Sequence, residues 1–333
     1  LDDNKINFVK KLLKDNKISD KDKFLANFIL SKNSEKKKDL INEIKFLNLS
    51  HEYFLRYNVN KKSKEYWLKI IPYHYDSFIY DKNNKDLIKN IKPIFIVGLP
   101  RSGSTITELI LSTSETPKYN LGESNIINKI LISSYGEKFF KSNKKERINL
   151  DLKYIKEKII CNLKNFNISD SNNKLILIDK SLENFFYIDL IMKIFPKAKF
   201  VITERNVSNN ILGIYKKILL NIPWGHSFSD ILLYIHNYKQ IISFFKKKYK
   251  DNLYVVKTED LQNIDDVKVK SLFNFCGLKF NKRYYDFKKN YQFVNNASNV
   301  QIRGNLKVDD EKKYEKYYEL LDKYKSEYTW LKE

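Results

Sequence analysis

Two cysteines in 333 residues exclude a disulfide framework; Cys161 and Cys276 lie far apart and make no metal-ligand spacing, so reduced thiols are expected. No stretch of eighteen apolar residues is present, so no membrane span is expected. Leu1–Asp15 is too highly charged for a signal peptide, and the expected location is cytoplasmic. Because the chain opens on Leu rather than Met, an upstream stretch and any address within it stay open. The four histidines, His51, His74, His226 and His236, occupy no metal pattern. Arginine is scarce as well: of 62 basic residues only six are Arg56, Arg101, Arg147, Arg205, Arg283 and Arg303. Where lysine is the rule, a retained arginine points to a need for its bidentate fork, which matches phosphate better than an ammonium does.

What the chain does have is 42% hydrophobic and 14% aromatic residues, enough for a real core and against general disorder. The net charge is +22, but the lysines are spread along the chain, so no specific nucleic-acid partner is expected. A small polyanion or an acidic acceptor would gain from the same field.

Residues 1–85 read as a helical region. Ile6, Val9, Leu12 and Leu13 recur at helical spacing, as do Phe24, Leu25, Phe28 and Ile29, then Ile41, Ile44 and Leu47, with no glycine between them. Residues 86–333 read differently. Short apolar runs, Ile94–Val97, Leu175–Ile178, Phe200–Ile202 and Leu253–Val256, alternate with helical patterns at Thr105–Ser114, Glu123–Ser134, Asn184–Ile194, Val207–Asn221, Ser229–Lys248 and Val267–Phe275. Continuous apolar strands imply burial on both faces, hence a parallel sheet flanked by helices in an α/β domain. The Lys-rich end of Ser229–Lys248 reads as a solvated face.

The segment Ile94–Thr105 carries the strongest signal. A buried strand runs into Gly98, four residues follow, then Gly103, then Ser104-Thr105 opening a helix. That is P-loop spacing, in which backbone N–H groups and a helix N-terminus converge on one anion. Where a nucleotide triphosphatase places its phosphate-bridging lysine, this chain has Ser104, while Arg101 supplies a guanidinium within the loop. The ligand therefore reads as a shorter anion, with an ordinary strand–turn–helix corner as the plainer alternative.

Pro93–Thr105 resembles the 5′-phosphosulfate loop of sulfotransferases that use 3′-phosphoadenosine-5′-phosphosulfate (PAPS), most of all the bacterial branch with upstream tetratricopeptide-like (TPR-like) helices, related to the tyrosylprotein sulfotransferases. The similarity runs from about Ile91 to Tyr317, and Leu25–Lys32 resembles the end of that helical region. The resemblance implies 5′ contacts from Arg101, Ser102, Gly103, Ser104 and Thr105, and a general base at Glu123 in Leu121-Gly122-Glu123. It implies that Lys180, after the run ending in Asp179, stabilises charge on the leaving oxygen; the proline usual two residues later is Leu182. Arg205 matches the residue that grips the 3′-phosphate, although the usual serine eight residues on is Gly213 and the usual aspartate is Asn209. Lys257–Leu261 and Phe275–Leu278 also fit, with Cys276 a packed thiol. In Ala297–Gly304, Ser298 is implied at the leaving oxygen, and Arg303 and Gly304 at the 3′-phosphate and adenine, with Tyr314 where an aromatic follows.

The expectation is thus in-line transfer of a sulfuryl group from PAPS, leaving 3′-phosphoadenosine-5′-phosphate (PAP), to an acceptor hydroxyl on peptide tyrosine, sugar or lipid. Catalytic roles fall to Glu123, Lys180, Arg101 and Ser298, and no metal is required. The assembly state stays open, a homodimer included. Two other readings stay open: a nucleotide kinase or ATPase, with Asp179 as a metal ligand, and a non-catalytic helical-repeat adaptor with a degenerate sulfotransferase domain.

Overall fold

The four apolar runs fold as strands and lie side by side. In the computed structural model, which describes residues 2–15, 17–58, 60–80, 88, 90–143, 146–166, 168, 175–262, 266–281 and 311–332, the strands are β1 (Phe78–Tyr80), β2 (Ile91–Gly98), β3 (Tyr119–Gly122), β4 (Ile148–Leu150), β5 (Leu175–Asp179), β6 (Lys199–Glu204) and β7 (Leu253–Lys257). Five form one sheet in the order β3-β5-β2-β6-β7, every neighbouring pair parallel. The short β1 and β4 pair separately, also in parallel. Register aligns the carboxyl ends: Gly122 lies beside Asp179, Gly98 beside Thr203, and Glu204 beside Lys257. In open parallel sheets that edge is where ligands bind.

Burial on both faces explains the uninterrupted apolar runs. Ile94, Ile96 and Val201 pack with Ile110, Leu111, Leu272 and Phe273 on one face. Pleating turns Phe95 and Phe200 to the other, where their rings stack 5.4 Å apart. Each such buried side chain contributes roughly 1.5–3 kcal/mol relative to exposure. The expectation of a helix-flanked parallel sheet is met.

Several local expectations need correction. The edge strand β3 is not among the expected strands; it has four residues and no apolar run to announce it. The helix placed at Glu123–Ser134 begins later, as Ile126–Lys141, leaving Glu123 in the loop after β3. Asn184–Ile194 divides into a 3-10 turn, Leu182–Tyr187, and an α-helix, Ile188–Ile194. The lysines ending the helix Phe228–Lys248 are not simply solvated: Lys246 pairs with Glu204 at 3.0 Å and Lys248 with Asp189.

By internal contacts the chain divides into two units, Leu1–Leu68 with Ile211–Tyr234, and Lys69–Asn210 with Ile235–Glu333. The sheet belongs to the second. The first is helical, and side chains open its helices: Asp2 caps Asp3–Leu12, Ser19 caps Asp20–Lys36, Asp39 caps Leu40–Tyr57 and Asn60 caps Lys61–Glu65. Asp20–Lys36 and Leu40–Tyr57 form a helical hairpin around Phe24, Leu30, Leu47 and Phe54. Lys216 reaches Glu35 and the buried Glu43, each at 2.8 Å. Burial works against ionising Glu35, but hydrogen bonds from Lys216 and Lys32 outweigh it and hold the carboxyl at about 2. His51 and His226, 1% and 2% exposed, meet Nδ1 to Nδ1 at 3.1 Å, while His51 Nε2 lies 3.0 Å from the Tyr215 carbonyl oxygen.

Candidate active site

Between β2 and the helix Ser104–Ser112 the chain turns through two glycines. Gly103 caps the helix with φ 89° and no side-chain hydrogen bond, so the first-turn N–H groups are not satisfied by a capping side chain. A Cβ on Gly103 would lie 2.1 Å from Thr258 Oγ1, and one on Gly98 would lie 2.5 Å from Thr203 Oγ1. Only glycine fits either place. Arg101, half-buried, takes the left-handed region at φ 69°, a strained conformation for a residue with a side chain and one that gathers at ligand clamps.

Three hydroxyls fasten this loop from within. Ser102 Oγ donates to the Leu99 carbonyl at 2.6 Å and lies 2.6 Å from Thr203 Oγ1. Thr258 Oγ1 donates to the Ser102 carbonyl. Ser102 is 1% exposed, so its hydroxyl serves the shape of the loop, while Gly103 and Thr105 are half-buried beside the buried Ser104. Asn210 Nδ2 adds a bond to the Pro100 carbonyl at 2.6 Å.

Beside the loop stands a buried ammonium. Lys180 follows β5, its N–H donating to the Gly122 carbonyl at 2.8 Å, and its side chain has no exposed surface. Nζ donates to Glu123 Oε1 at 2.8 Å and lies 3.6 Å from Glu108 Oε2. Glu123 is half exposed and Glu108 is buried on the loop helix. Asp179 is also buried and accepts from Ser124 Oγ at 2.5 Å and from the Ser181 N–H at 2.8 Å. Burial first, then neighbouring carboxylates, pushes Glu108 and Glu183 above the usual carboxylate range, with Lys180 opposing it at Glu108. Burial also raises Asp179, against its hydrogen bonds. Charges of one sign crowded in a dry place resist ionisation together.

At the end of β6, Arg205 lies with its guanidinium carbon 5.9 Å from the Tyr314 ring centroid. Asn209 accepts from the Tyr318 hydroxyl at 2.8 Å, and its own N–H bonds Asn206 Oδ1. Arg101, Glu123, Lys180 and Arg205 therefore sit at or just beyond the carboxyl ends of four strands of one sheet. Ser298, Arg303 and Gly304 lie outside the described residues.

Sequence reasoning passed over Glu108, Thr203 and Thr258. The only signal for Glu108 was a carboxylate among the apolar positions Ile106, Leu109 and Ile110. For the threonines there was none, because their role depends on strand order. Cys276 is buried and its thiol is pushed up by that burial, as a packed thiol should be. Among the described residues, no group of three or more His, Cys, Asp or Glu is arranged to hold a metal ion, and no helix is long and apolar enough to cross a membrane.

Residues 93–282, more than half of the chain, match the family described as "Sulfotransferase family". An uncharacterized protein of Aquifex aeolicus (strain VF5) is 25% identical over 342 residues, covering 95% of this chain and 43% of its own length. The chain thus spans less than half of that relative. Among solved structures, the sulfotransferase domain of the Synechococcus PCC 7002 olefin synthase is similar with a TM-score of 0.45 and 16% identity, over 70% of this chain and 91% of that one. Sulfotransferase STF1 from Mycobacterium tuberculosis H37Rv is similar with a TM-score of 0.38 and 14% identity, over 94% and 97% respectively.

Proposed function

The chain belongs to the sulfotransferase family, and on that premise we propose that it moves a sulfuryl group from PAPS to an acceptor hydroxyl by in-line displacement. The observation that carries this reading is the meeting of Lys180 and Glu123, 57 residues apart in sequence and 2.8 Å apart in space, beside an anion loop that lacks the lysine of a triphosphatase. The residues fit the donor at its 5′ end: no capping side chain covers the N-terminus of the helix Ser104–Ser112, which leaves its first-turn N–H groups to a phosphate.

When bound, PAPS would supply a sulfuryl group on a phosphate leaving group. The loop residues Arg101, Ser102, Gly103, Ser104 and Thr105 would hold its 5′ end, and Arg205, Arg303 and Gly304 its 3′-phosphate and adenine. Glu123, half exposed, is open to an incoming acceptor and takes the hydroxyl proton on a carboxylate oxygen. Lys180, fully buried, holds its charge in a dry setting, where it stabilises a developing anion far more than in water. Arg101 and Ser298 assist it at the leaving oxygen, and no step calls for a metal.

The acceptor class is a hydroxyl on peptide tyrosine, sugar or lipid. The hairpin of Asp20–Lys36 and Leu40–Tyr57 supports the TPR-like reading of the helical region, whose outer faces suit a peptide or protein. The proposed location is the bacterial cytoplasm, with a homodimer as the assembly to test. The phosphoryl-transfer reading is disfavoured because Asp179, its metal ligand, is buried and engaged by Ser124 and Ser181. The pairing of Lys180 with Glu123 weighs against a degenerate adaptor.

Thermal unfolding with PAP, with Mg²⁺–ATP and with Arg205→Ala tests the reading. PAP at a hundredfold excess over Kd should stabilise the chain by about 2.7 kcal/mol, and the variant should lose most of the shift. Stabilisation by Mg²⁺–ATP alone would overturn it.

A further inference from the structure

Glu108 has no part in the reaction as drawn, yet it is a carboxylate 4% exposed on the very helix that opens at the anion loop. Its Oε2 is buried and makes no hydrogen bond, which is costly for a charged group and calls for an explanation. Among the described residues its ion-pair partner is Lys180, with Nζ at 3.6 Å, too far for a hydrogen bond but close enough for an ion pair. Lys180 meanwhile donates to Glu123 at 2.8 Å. One buried ammonium is therefore shared unequally between two carboxylates, one anchored to the loop helix and one to the loop after β3. The nearby Asp179 is engaged by Ser124 and Ser181, so it offers Lys180 little.

We propose that Glu108 is a positioning residue: it keeps the Lys180 ammonium at the anion loop when a bound anion draws Lys180 away from Glu123. The proposal rests on the sulfotransferase reading above. In that reading Lys180 and Glu123 do opposite things at the same moment, one meeting negative charge and the other accepting a proton. A base tied to its ammonium is a poor base, so the pair must loosen. Lys180 has three N–H donors and no solvent to turn to. With Glu108 behind it, the ammonium trades one carboxylate for the anion and keeps a second. Without Glu108, it would fall back on Glu123 and hold that carboxylate out of use. A small movement suffices, because 3.6 Å is less than one ångström beyond hydrogen-bond length.

Calorimetric titration of PAP into the full chain, as wild type, Glu108→Gln, Lys180→Met and the double variant, tests this without any acceptor. Lys180→Met should weaken PAP about tenfold, the value of a hydrogen bond to a charged group. Glu108→Gln should weaken it about three- to tenfold in the wild-type background and leave it unchanged in the Lys180→Met background, the signature of a residue acting through another. Equal weakening in both backgrounds would mean a merely structural role and overturn the proposal. Tighter binding in both would mean that Glu108 is only a repulsive charge, and would overturn it too. Should Glu108→Gln fail to fold, Glu123→Gln decides: handing Lys180 wholly to Glu108 should leave PAP affinity unchanged or higher, and a tenfold loss would show that Glu123 alone holds the lysine. Failure of the wild type to bind PAP at all would instead remove the functional reading, and this inference with it.

Discussion

Gly103 and Thr258 stand so close that a single methyl group on the glycine would lie 2.1 Å from the threonine hydroxyl oxygen. The threonine is in turn bonded to the Ser102 carbonyl, one residue before that glycine. Gly103→Ala must therefore displace Thr258 as well as strain a φ of 89°. The expected cost is about 1–3 kcal/mol of stability from crowding, with a loss of PAP affinity of at least tenfold as the loop opens. Adding Thr258→Ala should recover part of the stability, because it removes the contacts of Oγ1 at 2.1 Å and Cγ2 at 2.8 Å while the Cβ at 2.9 Å and the strain remain. Thermal unfolding and PAP titration of the three proteins check both statements.

Glu123→Gln separates binding from transfer. The amide keeps the shape of the carboxylate, so PAP binding should persist. Transfer from labelled PAPS to a pool of hydroxyl acceptors should fall by about 10²–10⁴-fold, the usual worth of a general base. Parallel loss of binding and transfer would show that Glu123 shapes the site and takes no proton.

Tyr314 faces Arg205 with its ring 5.9 Å from the guanidinium carbon. A cation–π contact of this kind is worth about 0.5–1 kcal/mol, so Tyr314→Leu should weaken PAP by about two- to fivefold. Tyr314→Phe should be silent. If both variants bind as the wild type does, the ring does not orient the arginine.

The buried histidine pair makes the helical unit sensitive to acid. Burial is the first cause holding His51 at about 3 and His226 at about 4, below the ordinary 6.5. A histidine depressed in the folded state costs nothing above its unfolded pKa and destabilises below it, because the unfolded chain binds protons that the fold refuses. Stability should accordingly be flat above about pH 6.5 and fall toward pH 4, on the order of 1.4 kcal/mol per pH unit for each histidine. Unfolding midpoints across that range check the slope, which His226→Asn should reduce by about half.

How far the sequence led can be judged from particular residues. The loop was legible because Gly98, Gly103 and Ser104-Thr105 lie within eight residues of one another and the strand before them is a continuous apolar run. Glu123 and Lys180 came from resemblance; nothing local shows that they touch, since their meeting depends on β3 pairing with β5. The strand β3 went unseen because an edge strand of four residues, two exposed and two half-buried, has no hydrophobic period. Glu108 went unseen because a charged residue on an amphipathic helix is ordinarily a surface residue. Only the arrival of Lys180 from β5 makes it an internal one.

The lock on the loop has a consequence for how the protein is made. Ser102 and Thr258 are 156 residues apart along the chain, and strand β6 must be in place beside β2 before β7 can bring the threonine home. A chain still being synthesised can carry the whole glycine loop and yet lack the hydroxyl that closes it. Contacts of such long range form late, because the entropy of closing the intervening chain must be met first. Affinity for a phosphate would then arrive in one step, near the end of folding, and a nascent chain would draw no nucleotide from the cell before it was finished.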